Sequence, residues 1–309
     1  MTRVLVTGAS GFIGAAVTRT LVQQGEEVAV LLRPGSDTWR IAAEMPQLHV
    51  IGGNLCELDS IANSVRDFRP EAVIHLGWDG VKGSERNEPV QVDNVAASLA
   101  LYRLAESIGC DTFVGMGSQA EYGPVPGRLD ESAPTRPTTV YGAAKLATCL
   151  LLERMASTSG RQFAWLRLFS SYGPGDDPSW MLQYVARSLL RRERPALTAA
   201  EQIWDYIHVN DVAGSVIATM NSRAHGVFNL GSGVAHKLAD IVTTLRDLID
   251  PSLPLGFGEV PYRQDQVMYL EADITRLTAA TGWTPRVPLE VGLREVVDWL
   301  RTNLCPVQL

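Results

Sequence analysis

The chain has 309 residues, 46% of them hydrophobic, and a formal net charge of -7. That is enough apolar material for one large α/β unit or for two lobes sharing a cleft. Acidic and basic residues are intermixed without a basic block able to follow a phosphate backbone, which argues against a nucleic-acid partner but not against an anionic small molecule held by one or two arginines.

The first apolar run, Val4-Leu5-Val6, follows Met1-Thr2-Arg3 directly, with no signal-peptide pattern. No stretch reaches the roughly 18 apolar residues of a membrane span, so no membrane partner is expected. Cys56, Cys110, Cys149 and Cys305 lie outside any C-x-x-C spacing and read as free thiols, which suits a reduced cytoplasmic compartment. His49, His75, His208, His225 and His236 lack metal-ligand spacing, so no metal is expected.

Val4 to Val6 reads as a strand, then a glycine turn, then a helix with Ile13, Val17 and Leu21 on one face, closed by Gly25. Further strands are expected at Val28 to Leu32, Leu48 to Ile51, Ala72 to Leu76 and Thr112 to Met116. Helical patterns fill Leu58 to Phe68 and Val92 to Ile108. A helix carrying Tyr141 and Lys145 continues to about Ala156 and leads to a strand at Phe163 to Phe169. Such alternation predicts an α/β fold with a Rossmann-like, doubly wound parallel sheet.

After Phe169 the texture changes to Tyr172-Gly-Pro-Gly175, a helix at Trp180 to Arg191 and turn-rich chain from Pro251 to Gly258. This predicts a smaller C-terminal α/β lobe. Because a strand–helix pattern returns near Tyr206 to Met220, residues 1–170 plus about 206–224 are expected to form the first lobe. Residues 171–205 and 225–309 would form the second lobe. No internal repeat or low-complexity tract is present.

Three groups of residues carry chemistry. Thr7-Gly8-Ala-Ser10-Gly11-Phe12-Ile13-Gly14 follows a strand and opens a helix, the context a dinucleotide fingerprint requires, although its G-x-x-G-x-x-G spacing departs from G-x-G-x-x-G. At the end of the second strand, Leu31-Leu32-Arg33-Pro34 offers no carboxylate for a ribose hydroxyl. An arginine there can pair with a 2′-phosphate, so NADP(H) is the preferred cofactor and NAD(H) the alternative. Tyr141 and Lys145, four residues apart on one helical face, join a phenol to an ammonium that favours its ionised form, making the tyrosine a usable proton donor and acceptor.

With these residues in view, the chain resembles the extended short-chain dehydrogenase/reductase superfamily, in its NAD-dependent epimerase/dehydratase branch that acts on nucleotide sugars. The resemblance covers nearly the whole length: Thr7 to Gly14, His75-Leu76, Asn94, Gly117-Ser118-Gln-Ala-Glu-Tyr122-Gly123, the Tyr141/Lys145 pair, Leu168 to Gly175, Asp205 to Ala213, Phe228 to Gly233, and Gly282-Trp283-Thr-Pro285. It implies that Ser118 hydrogen-bonds the sugar oxygen, Tyr141 exchanges its proton, and Lys145 lowers the tyrosine pKa while holding the nicotinamide ribose. Further cofactor contacts would come from Gly8, Ser10, Gly11, Phe12, Ile13 and Gly14, from Arg33, Asn54 and Leu55, and from Leu76, Gly77, Trp78, Asn94 and Leu168. Substrate would meet Trp78, Ser118, Gln119, Tyr141 and Ser170, with Arg263 gripping its diphosphate. A homodimer formed through first-lobe helices is also implied.

Two departures narrow the expectation. The 4,6-dehydratases of this family carry two acidic residues after the serine or threonine, where this chain has Gln119 and Ala120, so elimination is disfavoured. Ser170 replaces the asparagine of the family's F-N-x-Y-G pattern. Trp78 either borders the sugar or packs between lobes, and His75 reads as a hydrogen-bonded strand-end histidine. The expected activity is an NDP-4-keto-hexose reductase, with a nucleotide-sugar 4-epimerase as the alternative. A reductase of a non-sugar carbonyl and a non-catalytic cofactor sensor are the more distant readings.

Overall fold

The computed structural model describes residues 1–125, 127–262 and 266–303. Its first part runs β1 (Arg3–Thr7), α1 (Phe12–Gln23), β2 (Glu27–Leu32), β3 (His49–Gly52), α2 (Leu58–Phe68), β4 (Ala72–His75), α3 (Val90–Ser107) and β5 (Thr112–Ser118). The middle adds β6 (Arg128–Leu129), α4 (Val140–Ser159), β7 (Gln162–Leu168), β8 (Ser170–Tyr172), α5 (Met181–Leu190), β9 (Ile203–His208), α6 (Val209–Asn221) and β10 (Gly226–Leu230). Last come β11 (Ala235–Lys237), α7 (Leu238–Ile249), β12 (Tyr269–Ala272), α8 (Thr275–Thr281) and α9 (Leu289–Asn303).

Seven strands form one sheet in the order β10-β7-β5-β4-β1-β2-β3. Every neighbouring pair is parallel, as expected where helices, not hairpins, join successive strands. Both faces are covered. Val4 and Val6 of β1 pack with residues of α1 and α6, while Leu5 between them packs with residues of α2, α3 and α4. Two-sided burial explains why these strands read as continuous apolar runs. From β1 the chain builds outward first through β2 and β3, then through β4 and β5, so a crevice opens at the strands' carboxyl ends beside β1.

A smaller sheet, β11-β9-β12-β6 with β8 on β9, carries the second lobe. Its helices α5, α7 and α9 close on Val185, Val242, Leu245, Leu293 and Val297.

The expected lobe boundaries shift in three places. β10 lies within the expected second lobe, yet it pairs with β7 in register from Gly226↔Ala164 to Leu230↔Leu168 and becomes the seventh strand of the large sheet. β9 pairs instead with β8, β11 and β12, so the return to the first lobe begins at α6 and not in the strand before it. Inside the expected first lobe, β6 pairs with β12. Among the described residues no helix is long and apolar enough to cross a membrane.

Candidate active site

The glycine turn sits between β1 and α1. Gly8 has a φ of 73°, and a Cβ on Gly14 would overlap the Gly8 carbonyl, so the start of α1 packs directly onto the strand end. No side chain caps α1 at Gly11, and its first turn contains no acidic residue. Free N–H groups and the positive helix end therefore face the crevice, a fit for a dinucleotide pyrophosphate. Ser10 lies in this turn, and Phe12 and Ile13 pack onto the core behind it.

Ser118 ends β5 and Tyr141 begins α4, capped by Thr139, whose Oγ1 accepts from Gly142 N at 3.1 Å. A Cβ on Gly142 would overlap the Ala120 carbonyl, so a glycine after the tyrosine is what allows α4 to approach the turn behind β5. The approach brings the Tyr141 hydroxyl near that of Ser118, whose polarity favours the ionised phenol. Lys145, one helical turn on and 5% exposed, donates from Nζ to Met116 O at 2.7 Å. Its Nζ lies 3.7 Å from the Trp78 ring centroid and 5.9 Å from that of Tyr141. The Trp78 ring meets Tyr141 edge-on at 6.3 Å. Ser118, Tyr141, Lys145 and Trp78 thus converge at the carboxyl ends of β4 and β5.

Electrostatics at Tyr141 differ from the sequence expectation. Burial pushes the phenol above its ordinary pKa, the nearby Ser118 hydroxyl and the Arg86 charge lower it, and Glu121 raises it. The cation acting on the tyrosine is therefore Arg86, because Lys145 is turned toward Met116 and Trp78. Arg86 Cζ stands 4.7 Å from the Tyr141 ring centroid, and its Nε is buried without a hydrogen-bond partner among the described residues. Arg86→Met should remove about 1 kcal/mol of cation–ring attraction and lower turnover roughly fivefold. The rising limb of the pH–rate profile, where the phenol ionises, should also move upward; an unchanged limb would show that Arg86 does not act on the phenol.

Burial holds Lys145 down to about 7 against the raising effect of Glu121. A lysine titrating at about 7 when folded and at 10.5 otherwise costs stability in full below the folded value. The cost is relieved as pH rises from 7 toward 10.5, where the folded chain binds fewer protons than the unfolded one. Lys145→Met lacks this cost, so its stability gain in denaturant titrations should be largest below pH 7 and shrink across that window. A gain that stays flat would contradict the assignment.

The other expected residues divide. Leu76, Gly77 and Trp78 line the loop after β4, Asn54 and Leu55 follow β3, and Leu168 ends β7. Gln119 lies in the turn after β5, and Ser170 begins β8. Asn94 commits its amide to the backbone of Asp79, accepting from its N at 3.0 Å and donating to its O at 2.9 Å, so it shapes the loop. Arg33 does not stand free beside the crevice, since its Nη1 donates to both Asp79 carboxylate oxygens at 2.9 Å. His75 bridges Thr7 Oγ1 and Ser98 Oγ at 2.8 Å each; burial and then the Lys145 charge hold it down to about 3, so it is a neutral structural group. Cys56, Cys110 and Cys149 are free thiols. Arg263 and Cys305 lie outside the described residues.

Sequence reasoning missed Glu121. This carboxylate, 0% exposed, accepts from Ser118 N at 2.9 Å, Trp165 Nε1 at 2.9 Å and Arg167 Nε at 2.7 Å. Arg167 also donates to Tyr122 OH at 3.0 Å, and Tyr122 to Asn229 Oδ1 at 2.6 Å. The network fixes the backbone of Ser118 from below. Its signal was available as the S-x-x-E spacing of a capping box, formed here by Ser118 and Glu121.

A doubly wound parallel sheet, a glycine turn at its crevice and a serine–tyrosine–lysine set at the strand ends define an extended short-chain dehydrogenase/reductase. The chain belongs to the NAD dependent epimerase/dehydratase family, whose model matches residues 4–231. It is 28% identical to a UDP-glucose 4-epimerase of Azospirillum brasilense, over 97% of this chain and 92% of that one. It is 25% identical to a dTDP-glucose 4,6-dehydratase of Streptomyces niveus, over 97% and 93%. The UDP-glucose 4-epimerase of Thermus thermophilus, solved in complex with NAD, superposes with a TM-score of 0.87 at 26% identity, over 98% of this chain and 100% of that one.

Proposed function

We propose that the protein transfers hydride at C4 of a nucleotide-linked sugar through a bound nicotinamide cofactor, and that its net reaction is 4-epimerisation. The observation that carries this reading is the convergence of Ser118, Tyr141 and Lys145 on the crevice beside an uncapped α1 N-terminus. When bound there, the nicotinamide supplies the acceptor and donor of hydride. Tyr141 takes the proton of the sugar hydroxyl and returns it, with Ser118 orienting the same oxygen. Arg86 supplies positive charge beside the phenol, Lys145 would hold the nicotinamide ribose, and Trp78 shields the site from water. Gln119 and Ala120 offer no carboxyl group for elimination, which separates this chain from dehydratase relatives.

Epimerisation comes first because Arg33, the residue that pointed to soluble NADPH, is engaged by Asp79. The epimerase relatives, one of them solved with NAD, support the same choice. An NDP-4-keto-hexose reductase using NADPH is the second reading, favoured by the missing carboxylate immediately after β2. The first lobe would hold the cofactor and the second the nucleotide, with Arg263 on its diphosphate. Exposed Val92 on α3 and Leu150 and Leu151 on α4 support a homodimer through those helices.

Incubation with UDP- and dTDP-hexoses tests the reaction. The leading reading expects interconversion of 4-epimers without net cofactor turnover. Stoichiometric NADPH oxidation with a 4-keto-6-deoxy nucleotide sugar would establish the reductase instead, and no affinity for UDP, TDP, CDP or GDP would discard the sugar substrate altogether.

A further inference from the structure

The Arg33–Asp79 pair occupies a revealing place in the sheet. Arg33 is the first residue after β2, and Asp79 lies in the loop after β4; β1 runs between those two strands. The pair therefore passes over the carboxyl end of β1, above the turn from which α1 emerges. In a doubly wound fold the end of β2 is where a carboxylate meets the adenosine ribose hydroxyls of NAD, or where an arginine meets the 2′-phosphate of NADP. Here both groups are present, one at the end of β2 and the other brought to it from β4.

Asp79 is held in that position from both ends. Its backbone is gripped by the buried Asn94 amide and by Gln91 Nε2, which donates to Asp79 O at 3.3 Å. Its two carboxylate oxygens share one guanidinium nitrogen, Arg33 Nη1, so each keeps capacity to accept from a hydroxyl. The Cys56 thiol lies nearby, its pKa raised by burial, Asp79 and Asp93 and lowered by Arg33.

We propose that Asp79, oriented by Arg33, is the carboxylate that receives the adenosine ribose hydroxyls, so the site selects the unphosphorylated dinucleotide, NAD, and rejects a 2′-phosphate. Arg33 is a positioning residue for Asp79 and not a reader of phosphate. The inference rests on the nicotinamide-cofactor reading above and narrows it. A phosphate placed against Asp79 would meet like charge, whereas a ribose hydroxyl donates to it.

The side chains of Arg33 and Asp79 are 57% and 45% exposed, and pairs at such exposure contribute little to folding. Both can be replaced in the full chain. Isothermal titration calorimetry with NAD and with NADP, without substrate, on the unmodified protein, Asp79→Asn and Arg33→Met tests the proposal. The unmodified protein should bind NAD at least ~10-fold tighter than NADP. Asp79→Asn should bring the two within about threefold, by weakening NAD and tightening NADP. Arg33→Met should weaken NAD while NADP stays weak. Tighter binding of NADP that is lost in Arg33→Met and kept in Asp79→Asn would overturn the proposal and make Arg33 a 2′-phosphate reader. Selectivity unmoved by either substitution would overturn it too. Binding of neither dinucleotide would remove the cofactor reading itself, and the proposal with it.

Discussion

Tyr141→Phe should lower kcat by at least ~100-fold while the fold and dinucleotide affinity persist. The substitution removes one oxygen, the atom beside the Ser118 hydroxyl in a site where burial already disfavours loose charge. The ring, its edge-on contact with Trp78 and its place under Arg86 remain. Without the phenolic oxygen no described group stands in the same position to exchange a proton with a sugar hydroxyl. Ser118 lacks an adjacent base, and Lys145 donates to Met116 O. Steady-state turnover alongside circular dichroism and calorimetric dinucleotide binding separates chemistry from structure. Near-normal turnover would discredit the proton-handling role.

The second large effect is structural. Arg167→Met should cost about 3–5 kcal/mol, because Glu121 would remain fully buried without the guanidinium that now meets it at 2.7 Å. For a chain of this size that corresponds to a fall in Tm on the order of 10 °C. Replacing Glu121 and Arg167 together with apolar residues should recover much of that loss, since the cost lies in the orphaned charge more than in the missing attraction. Activity should not return with stability. The double variant still lacks the carboxylate that holds Ser118 N, so Ser118 should orient substrate poorly. A single variant as stable as the parent would show that the carboxylate finds another partner or takes up a proton at little cost.

Much of this molecule was legible in its sequence because the relevant signals are local. The glycine turn, the apolar strands and the Tyr141/Lys145 spacing each fit within one element or one connection. The helix expected at Leu58 to Phe68 has those same bounds in the structure, and the strands differ from expectation by one or two residues at their ends. Interactions between distant segments stayed hidden. Glu121 meets partners 44 and 46 residues along the chain, and Arg33 and Asp79 are also 46 apart. Nothing in the run Val227 to Leu230 announces that it joins β7 and not the smaller sheet, since a short apolar strand suits either. Helical spacing correctly placed Lys145 beside Tyr141, but Met116 O and the Trp78 ring decide where its ammonium points. Arg86 reaches the tyrosine from a short 3-10 helix, Gly83–Asn87, whose spacing carries no signature.

The central claim, hydride transfer at C4 with Tyr141 moving the proton, is tested most directly with a nucleotide sugar deuterated at C4. The expected result is a primary kinetic isotope effect, with deuterium appearing on the nicotinamide during single turnover and retained at C4 of the product. Loss of the deuterium to solvent, with no isotope on the nicotinamide, would contradict the account.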